Sequence, residues 1–202
     1  ENKGIELALH GTPIKNRLFE WNMSFTLASN KNKVVELIDG VDYYQISSAP
    51  FCIEVGAKKG DPYGCIMGTN YVYDDNGNRL VDDYGLYIAS NGYENLGSIF
   101  PDFTGGFSNS FKLWRFDASI LFDFSKGGHW FSTSYMWGMY AGMLEETAAN
   151  NIREDGLIVD GYKQDGTPND IVVSALDYCE NFYYGPAAQS VFKSDYIKLR
   201  EV

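Results

Sequence analysis

The sequence predicts an all-β fold, built from antiparallel strands of a large transmembrane β-barrel with two long extracellular loops carrying short helices. Three observations lead there. The first is a strict period of two in FEWNMSFTLAS (19–29) and RFDASILFDFS (115–125), which sends successive side chains to opposite faces of a sheet. The second is an alternation in connection length, with short turns near 12–17 and 113–115 and very long segments at 29–102 and 127–193. The third is composition: aromatic residues make up 16% of the 202 residues and charged residues 21%, with 21 glycines, a mixture that suits strands and turns over helices.

Taken in order, Ile5, Leu7 and Leu9 alternate with Glu6 and Ala8, giving a first strand at about 5–12. Pro13 and Asn16 mark a turn there, the proline stopping the ladder. The second strand, about 18–29, has Phe19, Trp21, Met23, Phe25 and Leu27 on one face and Glu20, Asn22, Ser24 and Thr26 on the other. Its length matches the roughly 9–11 residues with which a tilted strand crosses a bilayer. From Ser29 to Pro101 the pattern dissolves. An Asn-Gly turn inside Asp74–Asn78 is expected; a calcium loop is disfavoured because its ligand spacing and terminal glutamate are missing.

Strands at about 103–112 and 115–126 then form a hairpin around Leu113-Trp114-Arg115. Phe116, Ala118, Ile120, Phe122 and Phe124 share one face; Asp117, Ser119 and Asp123 share the other, and Leu121 alone breaks the rule. Met136, Met139, Tyr140, Met143 and Leu144 follow the helical template, which predicts a helix over about 133–149 despite Gly138 and Gly142. Asp170 is a candidate cap for a second helix, Ile171–Tyr184, stopped by Gly185. A last strand runs over about 194–202.

Alternation also fits a water-soluble β-sandwich. Loop asymmetry favours the barrel, because such barrels pair short periplasmic turns with long extracellular loops. So do the aromatics beside both short turns (Phe19 and Trp21; Phe111, Trp114 and Phe116), placed where interfacial girdles sit. No apolar run is long enough for a membrane-spanning helix. The N-terminal ENKGIELAL lacks the regions of a signal peptide, so one is expected to be absent or already removed.

A formal net charge of −11 and the lack of a basic stripe exclude nucleic acid as a partner. Three cysteines, Cys52, Cys65 and Cys179, show no metal spacing. Cys52 and Cys65 either close a loop in an oxidising compartment or remain free thiols. His10 and His129 have no metal-ligating neighbours in sequence, so no metal or other cofactor is expected. Nothing matches a nucleophile elbow or a P-loop, and carboxylate pairs for glycoside hydrolysis cannot be read from spacing. The chain is read as non-enzymatic.

PDFTGGFSNSF…FDASILFDFSKGG, FSTSYMWGMYAGMLEETAANN and SVFKSDYIKLREV, with NKGIEL, NKNKVVEL and DPYGCIMGTNYVYDDNGNRLVD before them, together resemble the SusC/RagA-type TonB-dependent outer-membrane transporters. The resemblance covers essentially all of residues 1–202. It implies a barrel of about 22 strands with an N-terminal plug, of which this chain would be an internal piece of the C-terminal half. It implies localisation in the outer membrane of a Gram-negative bacterium, energy supplied through TonB, and a SusD-like surface lipoprotein that delivers an oligosaccharide or peptide. The lipid bilayer would contact the apolar face. Substrate-binding candidates are then Glu20, Asn22, Asp117 and Asp123 on the lumen face and Trp130 and Trp137 in the loops. The competing reading is a soluble cell-surface β-rich glycan-binding module, which requires the Phe116–Phe124 face to be buried within this chain.

Overall fold

A computed structural model describes residues 1–49 and 53–202. Its largest element is a five-stranded antiparallel sheet. The strands, in chain order with the rest, are β1 (Asn2–Lys15), β2 (Phe19–Asn32), β3 (Tyr43–Ala49), β4 (Ile53–Lys58), β5 (Tyr63–Gly68), β6 (Glu94–Ser98), β7 (Pro101–Leu113), β8 (Phe116–Gly127), β9 (His129–Phe131), β10 (Leu157–Ile158), β11 (Val172–Val173), β12 (Val191–Lys193) and β13 (Tyr196–Glu201). The helices are α1 (Thr133–Tyr140), α2 (Ile152–Asp155) and α3 (Ala175–Tyr184). The large sheet has the order β1-β2-β7-β8-β13, so strands distant in sequence become neighbours in the wall.

Pairing aligns the alternation of every strand. Leu9, Phe25, Phe107, Phe122 and Leu199 form one row across the sheet, and Leu7, Leu27, Gly105, Phe124 and Ile197 form the next apolar row. Between them run Ala8, Thr26, Gly106, Asp123 and Lys198 on the opposite face. A one-residue slip of any strand would put its apolar set among polar neighbours, so the pattern itself specifies register. Gly105 allows one close approach. A Cβ there would strike the Phe124 ring and the Thr26 carbonyl, and the Phe124 ring lies over this gap, stacked on Phe25 at 6.2 Å.

Among the described residues no second layer covers the apolar face: Phe116 is 71% exposed, Ile197 79% and Leu9 55%. The condition that a soluble glycan-binding module required is therefore not met. Pro13 also behaves differently from expectation. β1 continues to Lys15, with a register shift between Gly11 and Ile14 that absorbs Thr12 and Pro13. A proline has no N–H to pair, and in this sheet it occupies an outer strand at a bulge, where that loss is tolerated. The turn itself is built by Asn16, whose Oδ1 accepts the Leu18 and Phe19 N–H groups at 2.9 and 2.8 Å.

The buried core lies elsewhere, in the two long excursions, which fold together into one outer body. Ile53, Ile66 and Leu96 from the first pack with Phe131, Ala187 and Val191 from the second. A second cluster joins Val81, Leu86 and Tyr87 to Leu157, Val159, Val173 and Tyr178. Backbone bonds stitch the same seam: Ala188 N–H donates to Thr69 O (3.1 Å), Val81 N–H to Tyr162 O (2.9 Å) and Tyr162 N–H to Arg79 O (2.8 Å). The first excursion carries the four-stranded sheet β3-β4-β5-β6; the helices fall in the second.

Both expected helices start or stop elsewhere. α1 ends at Tyr140 because Gly142 adopts φ +66°. Gly142 N–H then donates to Met139 O and Met143 N–H to Gly138 O, the bond pair of a Schellman motif. The chain continues to Asn151 only as short 3-10 turns. α3 begins after Ser174, whose Oγ accepts the Asp177 N–H at 3.1 Å while Asp177 Oδ2 accepts the Ser174 hydroxyl at 2.6 Å. Asp170 instead pairs with Lys163 at 2.9 Å, and Val172–Val173 pair with Leu157–Ile158 as a strand.

Candidate functional site: a polar wall and the mouth above it

The polar face of the wall is organised by cross-strand pairs. Near the short turns Lys15, Glu20, Lys112 and Asp117 stand in one row, alternating in sign across four strands. Glu20 receives Lys15 Nζ at 3.3 Å and Asn22 Nδ2 at 3.0 Å, and Asn22 Oδ1 accepts the Thr12 hydroxyl at 2.7 Å. Opposite charges placed directly across a sheet stabilise the pairing. Farther toward the long excursions, Asp123 is held by both Arg200 Nε and Nη2 at 2.8 Å and by the Tyr196 hydroxyl at 3.2 Å.

Three of the four wall candidates are thus engaged by identified side-chain partners, and the fourth, Asp117, lies across from Lys112. They are spread rather than gathered. The Asp123 row crosses β2 at Thr26, six residues from Glu20, which is about 20 Å along a strand. The two tryptophans belong to the outer body. Trp130, in β9, is half exposed, with its ring 5.5 Å from Phe192. Trp137, on α1, stacks against Tyr183 at 5.5 Å and meets Tyr140 edge-on at 5.4 Å. The wall candidates and the tryptophans do not form one pocket.

A cleft of about 300 Å³ opens where the two excursions meet, lined by Asn70, Tyr71, Tyr73, Asn95, His129 and Lys193 among others. His129 packs over Gly97, where a Cβ would strike the imidazole and where φ is +139°. Its Nδ1 is buried without a hydrogen-bond partner. Arg79 lies 4.2 Å from the Tyr71 ring and 5.6 Å from that of Tyr87. Burial pushes the Tyr71 hydroxyl up to about 12, against the opposing pull of Arg79. Arg79 and Lys193 escaped sequence reasoning because neither lies in an alternating run.

The turns that shape the mouth are tied by carboxylates. Asp74 accepts the Asn76 and Asn78 N–H groups and Asn78 Nδ2, and these bonds hold its carboxyl below the usual range, the Asn78 side chain contributing most. Asp82 repeats the device with Tyr84 and Leu86 N–H, and Asp165 with Thr167. The Asp74–Asn78 acidic run is accordingly a turn. Among the described residues no group of three or more His, Cys, Asp or Glu side chains could hold a metal ion. Cys65 and Cys179 are free, buried thiols; the Cys52 side of the suggested loop closure lies outside the described residues. Among the described residues no helix is long and apolar enough to cross a membrane.

No family model matches the chain. In sequence it is 32% identical over 151 residues to "TonB-dependent receptor P3" of Formosa agariphila, covering 63% of this chain and 15% of that protein. It is also 26% identical over 176 residues to "TonB-dependent receptor P39" of the same organism, covering 63% of this chain and 17% of that protein. In structure it is similar to a chain of the RagAB peptide transporter, with a TM-score of 0.63, 16% identity, and coverage of 98% of this chain and 22% of that one. For the RagAB peptide importer in its open-open state the TM-score is 0.64, with 15% identity and coverage of 98% and 21%. The chain therefore spans less than a quarter of each of these proteins.

Proposed function

We propose that this chain, a segment of the SusC/RagA type of TonB-dependent transporter, forms part of the wall and outer mouth of an importer in the outer membrane of a Gram-negative bacterium. Its cargo is a bulky polar nutrient, an oligosaccharide or a peptide, moved without chemical change. One observation carries this reading: the five strands divide into an apolar face, interrupted at Asn109, whose Oδ1 accepts the Trp21 indole N–H at 3.0 Å, and a polar face, interrupted at Leu121, with both short turns on one rim and both folded excursions on the other. A bilayer accepts a sheet only when every backbone group is paired in a closed barrel, so β1 and β13 pair with further strands of the same wall.

TonB supplies the energy through a part of the transporter outside this chain. A SusD-like surface lipoprotein sits over the outer body and hands over the cargo. The similarity to a peptide transporter, RagAB, favours a peptide; the exposed Trp130 and the tyrosines of the cleft also suit stacking on a sugar face. The test is uptake of labelled oligosaccharides and of labelled peptides by cells expressing the full-length protein. Accumulation of one class, abolished when TonB is removed, is expected. Accumulation of neither, by cells whose outer membrane contains the protein, overturns the import reading.

A further inference from the structure

Charge is distributed unevenly between the two rims. Segments 33–100 and 128–195 hold 7 basic and 20 acidic residues, whereas the rest of the chain holds 9 basic and 7 acidic. Four of those nine cations, Lys15, Arg17, Lys112 and Arg115, cluster at the short turns with only Glu20 and Asp117 beside them. Lys15 bonds Glu20, and Lys112 stands across from both Glu20 and Asp117. Arg17 and Arg115 make no ion pair with any described residue.

The two turns are locked side by side, because Trp114 N–H donates to Leu18 O at 2.8 Å. Arg17 precedes one bonded residue and Arg115 follows the other, which sets their Cα atoms within about 12 Å of each other. Around them Leu18, Leu113, Trp114 and Phe116 are all more than half exposed, and the Arg115 guanidinium lies 4.6 Å from the Trp114 ring. Apolar and aromatic groups with two uncompensated guanidinium groups at a barrel rim match the boundary between acyl chains and phosphate headgroups.

We propose that these paired turns bind the phosphate headgroup of an anionic phospholipid in the inner leaflet, with Arg17 and Arg115 as its ligands and Trp114 and Leu18 seated among the acyl ends. The inference rests on the barrel reading above, which puts the short turns at the periplasmic side. Its test uses the full-length transporter in nanodiscs of phosphatidylglycerol mixed with phosphatidylcholine, with retained lipids counted by native mass spectrometry after extraction. Retention of phosphatidylglycerol over phosphatidylcholine is expected. The double substitution Arg17→Gln, Arg115→Gln should reduce that preference roughly 25-fold, at about fivefold per cation.

No preference in the wild-type protein, which needs no variant to observe, overturns the proposal. So does a preference that survives the double substitution in a barrel whose mobility still shifts on heating, since another surface would then hold the lipid. Either result leaves import untouched. A full-length protein that never enters the bilayer would sink both readings together.

Discussion

In the wall, Phe107 and Ser108 are chain neighbours that face opposite solvents, and neither is buried by this chain. In the outer body, Ile66 and Val81 are each at most 2% exposed and are enclosed by residues from both excursions. The wall is specified by a local rule, one residue in and one residue out, repeated in register over five strands. The outer body is specified by partners that meet across long separations, such as Ile53 with Ala187. A local rule can be read off a single strand; a partner more than a hundred residues away cannot.

The largest expected effect tests the outer body. Ile66→Ala removes a fully enclosed side chain from the core shared by the excursions, and large-to-small changes of this kind cost about 2–5 kcal/mol. In the full-length protein, limited proteolysis should cut the excursions at least tenfold faster and leave the wall fragments intact. Equal loss of both regions would show that the two do not behave as separate bodies.

Next comes the wall. Phe107→Arg, in the middle apolar row, should destabilise the barrel in vesicles by about 2–4 kcal/mol, the cost of a cation on the lipid face near the midplane. Ser108→Arg, one residue along, should change little. Equal penalties in denaturant titrations of the inserted protein would break the two-faced assignment.

Ser174→Ala removes the cap of α3 and should cost about 1 kcal/mol, read as faster amide exchange in residues 175–178 alone. The smallest effect is of pH. Asp74 and Asp165 have folded pKa values below their unfolded ones, each first through a side-chain hydrogen bond. Their contribution is fully present above the ordinary aspartate value near 4 and is lost as pH falls through the lowered folded values. Tyr71 and Tyr178 are pushed up to about 12 by burial, so their contribution is intact below about 10 and is lost between there and about 12. Amide protection across the excursions, taken relative to the intrinsic exchange rate at each pH, should therefore fall at both extremes.

This contrast also explains what could be read from sequence. The all-β fold and the antiparallel wall were legible because FEWNMSFTLAS and FDASILFDFS each carry the whole rule. α1 is shorter than its apolar spacing predicts because the left-handed conformation of Gly142 ends the helix. α3 starts after Ser174 and not at Asp170, because Ser174 and Asp177 bond each other as a capping pair. The excursions looked like loops because their core is assembled from two halves, each too sparse in apolar residues to show a period. For the candidate site, Asp123 was visible as a polar-face residue, but its partner Arg200 lies 77 residues away and no local pattern links the two.

The seam between the excursions sets an order of events. Ile53 and Ile66 find Ala187 and Val191 only after more than a hundred further residues have been delivered, and closing so long a connection is slow. The β7–β8 hairpin needs only a two-residue turn and can pair at once. During biogenesis the half-finished mouth therefore waits, its apolar residues uncovered, on a wall already under construction. A chaperone that shields such residues would have its longest engagement with residues 33–100, the earlier of the two excursions, whose core is completed only when the later one arrives.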